Sequence, residues 1–207
     1  MACVVKLIPS RTAFLLCDLQ TKFRPAIHGF DSLVTTANKL LKVAKIHDVP
    51  VIVTEQNPRA LGKTDDRLNL ASLGPLHLGT VEKTLFSMAT PEFLSVLKNR
   101  DFKSLVLMGI ESHVCVLQST LDLLEHGYDV HVLADGVSSC NKEEVPWALE
   151  RMRQAGAQIT TSESVLFQLQ VDASSPNFKA FSNVIKEEKE ATSQTLQTLL
   201  PSRHAHL

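Results

Sequence analysis

The chain is poor in the features that would make it a membrane, extracellular or nucleic-acid-binding protein. No apolar run among its 207 residues approaches the roughly 20 needed to cross a bilayer. The start, Met1-Ala2-Cys3-Val4-Val5-Lys6, has no charged segment followed by a long apolar one, which predicts neither secretion nor insertion. Four cysteines, Cys3, Cys17, Cys115 and Cys140, lie far apart without a C-x-x-C pair, so a disulfide framework is not expected and reduced thiols in a cytoplasmic setting are. Aromatic residues are 5%, too few for a base-stacking surface unless they cluster. Charge of either sign is in no surplus: 21 Lys and Arg face 22 Asp and Glu, so no net field attracts polyanions. The expected partner is a small molecule, not nucleic acid and not a membrane.

Hydrophobic residues make up 44% of the chain, and a domain of this length buries enough apolar surface to fold without metal or disulfide. Short β-type runs alternate with segments of helical period, the pattern of a parallel sheet covered on both faces. Expected strands are Thr12–Cys17, Val51–Thr54, Thr80–Lys83, Leu105–Met108, Val130–Ala134 and Gln158–Thr161. Between them, Leu33, Val34, Ala37, Leu40, Leu41 and Ala44 recur on one helical face, Pro91 opens a second helix, and Val114–His126 and Val145–Met152 mark two more. Residues 55–79 carry Asn57-Pro58, Gly62, Gly74-Pro75 and Gly79 and predict a long loop with short helical turns. The fold class is therefore α/β, three layers, with one domain over 9–185 and a polar tail over 186–207. In that tail Lys186-Glu187-Glu188-Lys189-Glu190 reads as a solvated face or a disordered end, with an oligomer arm as the alternative.

In an open parallel sheet, ligands bind beyond the carboxyl ends of the strands. That rule selects Asp18 and Gln20 after the first strand, Lys83 after the third, and Glu111, Ser112, His113 and Cys115 after the fourth. Cys115 opens a helix, where free N–H groups and the macrodipole favour a thiolate. An isolated cysteine is more often a small buried hydrophobe, and Asp18 also reads as a helix cap or a surface ion-pair partner. Carboxylate, cation and thiol together at one edge suit attack on a carbonyl or nitrile carbon.

Three segments, Phe14–Phe23 (FLLCDLQTKF), Glu82–Met88 (EKTLFSM) and Gly109–Val116 (GIESHVCV), resemble the isochorismatase-like cysteine hydrolases, a family that includes nicotinamidases and carbamoylsarcosine amidases. The likeness runs from about Pro9 to Ile185. Thr54-Glu55-Gln56, Thr120–Leu124 and Arg151–Gln154 bring the chain closest to one of its eukaryotic groups. The resemblance implies a six-stranded parallel sheet of order 3-2-1-4-5-6 and a homo-oligomer. It implies an Asp18, Lys83, Cys115 triad in which Asp18 takes the thiol proton, Cys115 attacks, and Lys83 stabilises charge. It further implies a cis Ile110–Glu111 peptide and an oxyanion hole from the N–H groups of Glu111 and Cys115. Gln20, Phe23 and Phe86 are candidate substrate contacts, though either phenylalanine also reads as plain core.

Two departures narrow the chemistry. Relatives that hydrolyse isochorismate typically lack the cysteine, so Cys115 argues against that activity. Nicotinamidases usually carry Asp-x-His after the second strand, where this chain has Glu55-Gln56-Asn57-Pro58, and a lone His77 does not make a metal site. The expectation is a hydrolase of a small amide or other C–N compound with no metal and no cofactor. Cys17 is expected to pack on the strand face opposite Asp18. The rival is a binding or regulatory protein that kept the fold and the thiol. A nucleotide-dependent oxidoreductase is disfavoured because no G-x-G-x-x-G follows the first strand.

Overall fold

The computed structural model describes residues 4–200. Its strands are β1 (Thr12–Cys17), β2 (Val51–Gln56), β3 (His77–Lys83), β4 (Ser104–Ile110), β5 (Asp129–Ser138) and β6 (Gln158–Thr160). They form one sheet of order β3-β2-β1-β4-β5-β6, and every pairing is parallel. The helices are α1 (Phe30–Ile46), α2 (Pro58–Leu61), α3 (Pro91–Lys98), α4 (Leu117–Glu125), α5 (Glu144–Gln154), α6 (Ser162–Gln170), α7 (Phe178–Glu187) and α8 (Lys189–Leu199). The expected fold class and strand order are those found. Among the described residues no helix is long and apolar enough to cross a membrane.

β1 is buried along its whole length because both faces of the sheet are covered. Alternation sends Phe14 and Leu16 into a core shared with α1, α6, α7 and α8, where Leu40, Leu166 and Phe181 lie. The same alternation sends Ala13, Leu15 and Cys17 to the other face, with Phe93 of α3, Leu123 of α4 and Met152 of α5. Helix starts follow local chemistry. Thr90 caps α3 by accepting from Phe93 N, with Pro91 at the first helical position. Buried Asp135 accepts from the backbone of Ser162 at 2.7 Å and so satisfies the start of α6.

Some strands run longer than their apolar runs, β3 beginning at His77 and β5 continuing to Ser138, whereas β6 stops at Thr160 because Thr161 caps α6 by accepting from Ser164 N. The loop between β2 and β3 holds α2 and a short 3-10 stretch, as its Gly and Pro content predicts. It is clamped down by Asp65, a buried carboxylate hydrogen-bonded by Arg24 (2.6 Å) and Arg67 (2.9 Å). Burial opposes the charge of Asp65, but the hydrogen bonds from Arg67 and Arg24 outweigh burial and hold its carboxyl well below the usual range.

The C-terminal segment differs from a free polar tail. The boundary expected at 185 falls inside α7, and the charge run spans the junction of α7 and α8. Lys42 of α1 reaches Glu187 and Glu188 at 3.0 and 2.7 Å. Buried Lys39 donates to Thr192 Oγ1 at 2.9 Å, and Leu199 belongs to the α1-side core. The solvated face is real but one-sided, because α8 places Thr192, Thr195 and Leu199 inward at i, i+3 and i+7. Residues 201–207 of the expected tail lie outside the described residues.

Candidate active site

The site forms where β1, β3 and β4 end. Asp18 follows the last residue of β1 and is almost fully buried, a position a carboxylate holds only when its charge is matched. Its Oδ2 accepts from Lys83 Nζ at 2.7 Å and its Oδ1 from Thr54 Oγ1 at 2.7 Å. Lys83 is equally enclosed, and its ammonium also donates to Gln56 Oε1 (2.7 Å) and to the carbonyls of Phe86 (2.9 Å) and Leu85 (3.2 Å). Burial penalises that ammonium, and the acidic groups it faces, Cys17, Asp18 and Cys115, outweigh the penalty and hold it above the ordinary lysine value. Lys83 therefore stays charged.

Cys115 sits in a π-type turn, Ser112–Val116, that leads into α4. The Glu111 carbonyl accepts from both Val114 N and Val116 N and so pins the turn around the thiol. The Ile110–Glu111 peptide is cis, and the Glu111 carboxylate accepts from Cys140 N at 2.8 Å. Cys115 is 7% exposed and shares the α3/α4/α5-side cluster with Cys17. Gly109 makes the approach of β4 to β1 possible. It has φ +123°, and a Cβ there would lie 2.0 Å from the Cys17 carbonyl oxygen.

Strand alternation places Cys17 opposite Asp18, yet the two meet: Cys17 Sγ is 3.6 Å from Asp18 Oδ2. The reason is local. β1 ends at Cys17, and Asp18 takes a left-handed backbone (φ 52°), so the period-2 rule stops one residue short of the carboxylate. Cys17 keeps its expected face, which is the face of Lys83 and Cys115, and it is Asp18 that turns toward them. Burial pushes the Cys17 thiol well up, and its contact with Cys115 and the charge of Asp18 act the same way. Cys17 thus lies beside Asp18 as well as packing in the core.

The remaining candidates separate. Gln20 is fully buried, but its amide is spent on backbone: Nε2 donates to the carbonyls of Gly62 (2.6 Å) and Gln56 (3.0 Å), and Oε1 accepts from Gln56 N (2.7 Å). It fixes Gln56, which in turn accepts from Lys83. Phe23 packs against the α1-side core. Phe86 is half-exposed in the loop after β3 whose backbone Lys83 grips. The strand-end rule selects neither Thr54 nor Gln56; only the register pairing Cys17 with Thr54 and Gln56 with Lys83 brings them in. His77 opens β3 beside Thr80, Cys140 is exposed, and Cys3 lies outside the described residues.

The sequence profile of the Isochorismatase domain matches residues 12–164, about three quarters of the chain and every residue of the site. The chain belongs to the isochorismatase family. Within the family it is 46% identical over 187 residues to isochorismatase family protein 1B of Dictyostelium discoideum, covering 89% of this chain and 91% of that protein. It is 45% identical over 183 residues to isochorismatase domain-containing protein 2 of Xenopus laevis, covering 88% and 87%. Among solved family structures, one titled MAR1 ribonuclease from Caenorhabditis elegans superposes with a TM-score of 0.81 at 36% identity, over 98% of both chains. This chain is thereby a member of the isochorismatase-like hydrolases, with the family's α/β sheet.

Proposed function

We propose that the protein is a cysteine hydrolase acting on a small amide or other C–N compound through a covalent Cys115 intermediate. The observation that carries this reading is the buried Asp18–Lys83 pair, joined at 2.7 Å at the carboxyl edge of the sheet, on the same side as the Cys115 thiol. Asp18 takes the thiol proton, and the Cys115 sulfur bonds to the electrophilic carbon. The N–H groups of Glu111 and Cys115 hold the developing oxyanion. Asp18 returns the proton to the leaving nitrogen as the C–N bond breaks. Water, losing a proton to Asp18, then cleaves the thioester and regenerates the thiol. Lys83 compensates the charge that moves between Asp18 and Cys115.

Gln20 serves this site by holding Gln56, and Phe86 is the better placed of the two phenylalanines to meet a substrate. Glu55 and Gln56, the last residues of β2, already have partners. Gln56 is bound to Lys83, Glu55 accepts from Thr64 N at 2.6 Å, and among the described residues no three His, Cys, Asp or Glu gather as ligands. The reading uses no cofactor and, with Cys17, Cys115 and Cys140 all free, suits a reducing cytoplasm. A homo-oligomer is suggested by the structural neighbour from Escherichia coli titled an octameric hydrolase of unknown specificity.

The deciding experiment is a mass-spectrometric screen of small amides and ureides, with an RNA oligonucleotide as a further arm, on wild type and Cys115→Ala. An acyl adduct on Cys115 and turnover that only the wild type shows support the reading. No adduct and no turnover shift weight to a binding protein, and RNA cleavage that survives Cys115→Ala replaces the reading with a phosphodiesterase.

A further inference from the structure

β3 and β4 are not neighbours in the sheet: β2 and β1 lie between them, so Lys83 at the end of β3 and Cys115 after β4 are related through the sheet only indirectly. A shorter connection runs outside the sheet. It starts at the Lys83 ammonium, which holds the carbonyls of Leu85 and Phe86, and follows the chain to Met88. Met88 N donates to Ser119 Oγ at 2.8 Å, and Ser119 Oγ donates to the Cys115 carbonyl at 2.6 Å. The loop is exposed over residues 84–86, whereas Met88 and Ser119 are fully buried.

A serine within a helix commonly donates to the carbonyl four residues back, and that bond alone would mean little. Ser119 also accepts from a backbone N–H 31 residues away in the chain. One hydroxyl thus uses its hydrogen on the nucleophile turn and a lone pair on the loop that follows the lysine.

We propose that Ser119 is a positioning residue that ties the loop after Lys83 to the Cys115 turn and so holds the two sides of the site in a fixed relation. The inference rests on the nucleophile reading. Without the hydroxyl, the buried Met88 N–H loses its acceptor, and an unpaired buried N–H is costly enough to release that end of the loop. The two carbonyls that Lys83 grips move with it, and so does Phe86. Lys83 then compensates less of the charge that forms at Cys115.

The test reads Cys115 directly. Iodoacetamide alkylation is measured on the full chain at pH 7 and pH 10, with the modified cysteine located by peptide mass spectrometry. Ser119→Ala removes the bridge, and Ser119→Thr keeps its hydroxyl. Ser119→Ala is expected to slow alkylation of Cys115 at pH 7 about two- to tenfold, the factor one net hydrogen bond is worth, and to slow it far less at pH 10, where an ordinary thiol ionises unaided. Ser119→Thr is expected to react at the wild-type rate. A pH 7 rate unchanged or raised in Ser119→Ala, a deficit equal at both pH values, or a threonine variant as slow as the alanine one overturns the role of Ser119 and leaves the nucleophile reading intact. Wild-type Cys115 that reacts at pH 7 no faster than exposed Cys140 overturns both.

Discussion

Replacing Lys83 by Met while keeping Asp18 removes one half of a buried ion pair and leaves the other half enclosed. Asp18 is 1% and Lys83 4% exposed, so bulk water replaces neither partner. At 2.7 Å an effective dielectric constant of about 20 gives the pair roughly 6 kcal/mol of attraction. Much of that offsets desolvation, and removing one partner of such a pair typically costs about 3–5 kcal/mol. Lys83→Met is expected to lose that much stability in urea unfolding at pH 7, since Asp18 retains only Thr54 and the weak thiol donor. Asp18→Asn is expected to lose less, about 2–3 kcal/mol, because the Lys83 ammonium keeps Gln56 Oε1 and two carbonyls. The double variant is expected to be more stable than the sum of the two losses by at least about 2 kcal/mol, having no unpaired charge to bury. Losses that add to within about 0.5 kcal/mol would refute the reasoning, since the groups would then not depend on each other.

Gly109→Ala places a Cβ 2.0 Å from the Cys17 carbonyl at a φ of +123°, so β1 and β4 must part there. The expected outcome is a loss above about 3 kcal/mol and faster alkylation of the buried Cys17; a variant with wild-type melting temperature contradicts it. His131 is buried, and its imidazole is pushed down to about 4 by burial, with Asp129 opposing weakly. Its folded value lies below the unfolded 6.5, so the neutral ring's stability is complete above pH 6.5 and falls as pH drops toward 4. By pH 5 the loss is about 2 kcal/mol, from 1.36 kcal/mol per unit. Urea midpoints at pH 7.5 and 5 are expected to diverge in wild type and to close by most of that amount in His131→Gln, in a window where the Asp65 clamp is still fully ionised. Leu199→Ala is expected to cost about 2–3 kcal/mol, as for a buried leucine, whereas a loose tail would cost under about 0.5 kcal/mol.

The alternation of apolar runs and helical periods was enough to order the sheet's layers, because a parallel sheet covered on both faces requires continuous burial in strands such as Thr12–Cys17. The ends of elements were less readable. The last residues of β5, through Ser138, and the polar half of α8 are held by tertiary pairing: the register of Ile110 with Ser138, and Lys39 with Thr192. Neither leaves a periodic apolar trace, which is why the C-terminal segment read as a tail.

Residue types and their positions at strand ends were determined by the sequence alone: a carboxylate after β1, a lysine closing β3, a thiol after β4, and no charge surplus to draw a polyanion. Tertiary structure alone decided their relations. Parallel register brought Thr54 to Asp18 and Gln56 to Lys83, and the absence of a side chain at Gly109 let two backbones close on each other. A single left-handed residue, Asp18, turned the carboxylate onto the face of Cys17. Strand periodicity is a local rule that assumes extended backbone, and at the site the backbone leaves that region because burying a charge requires its partners to be reached.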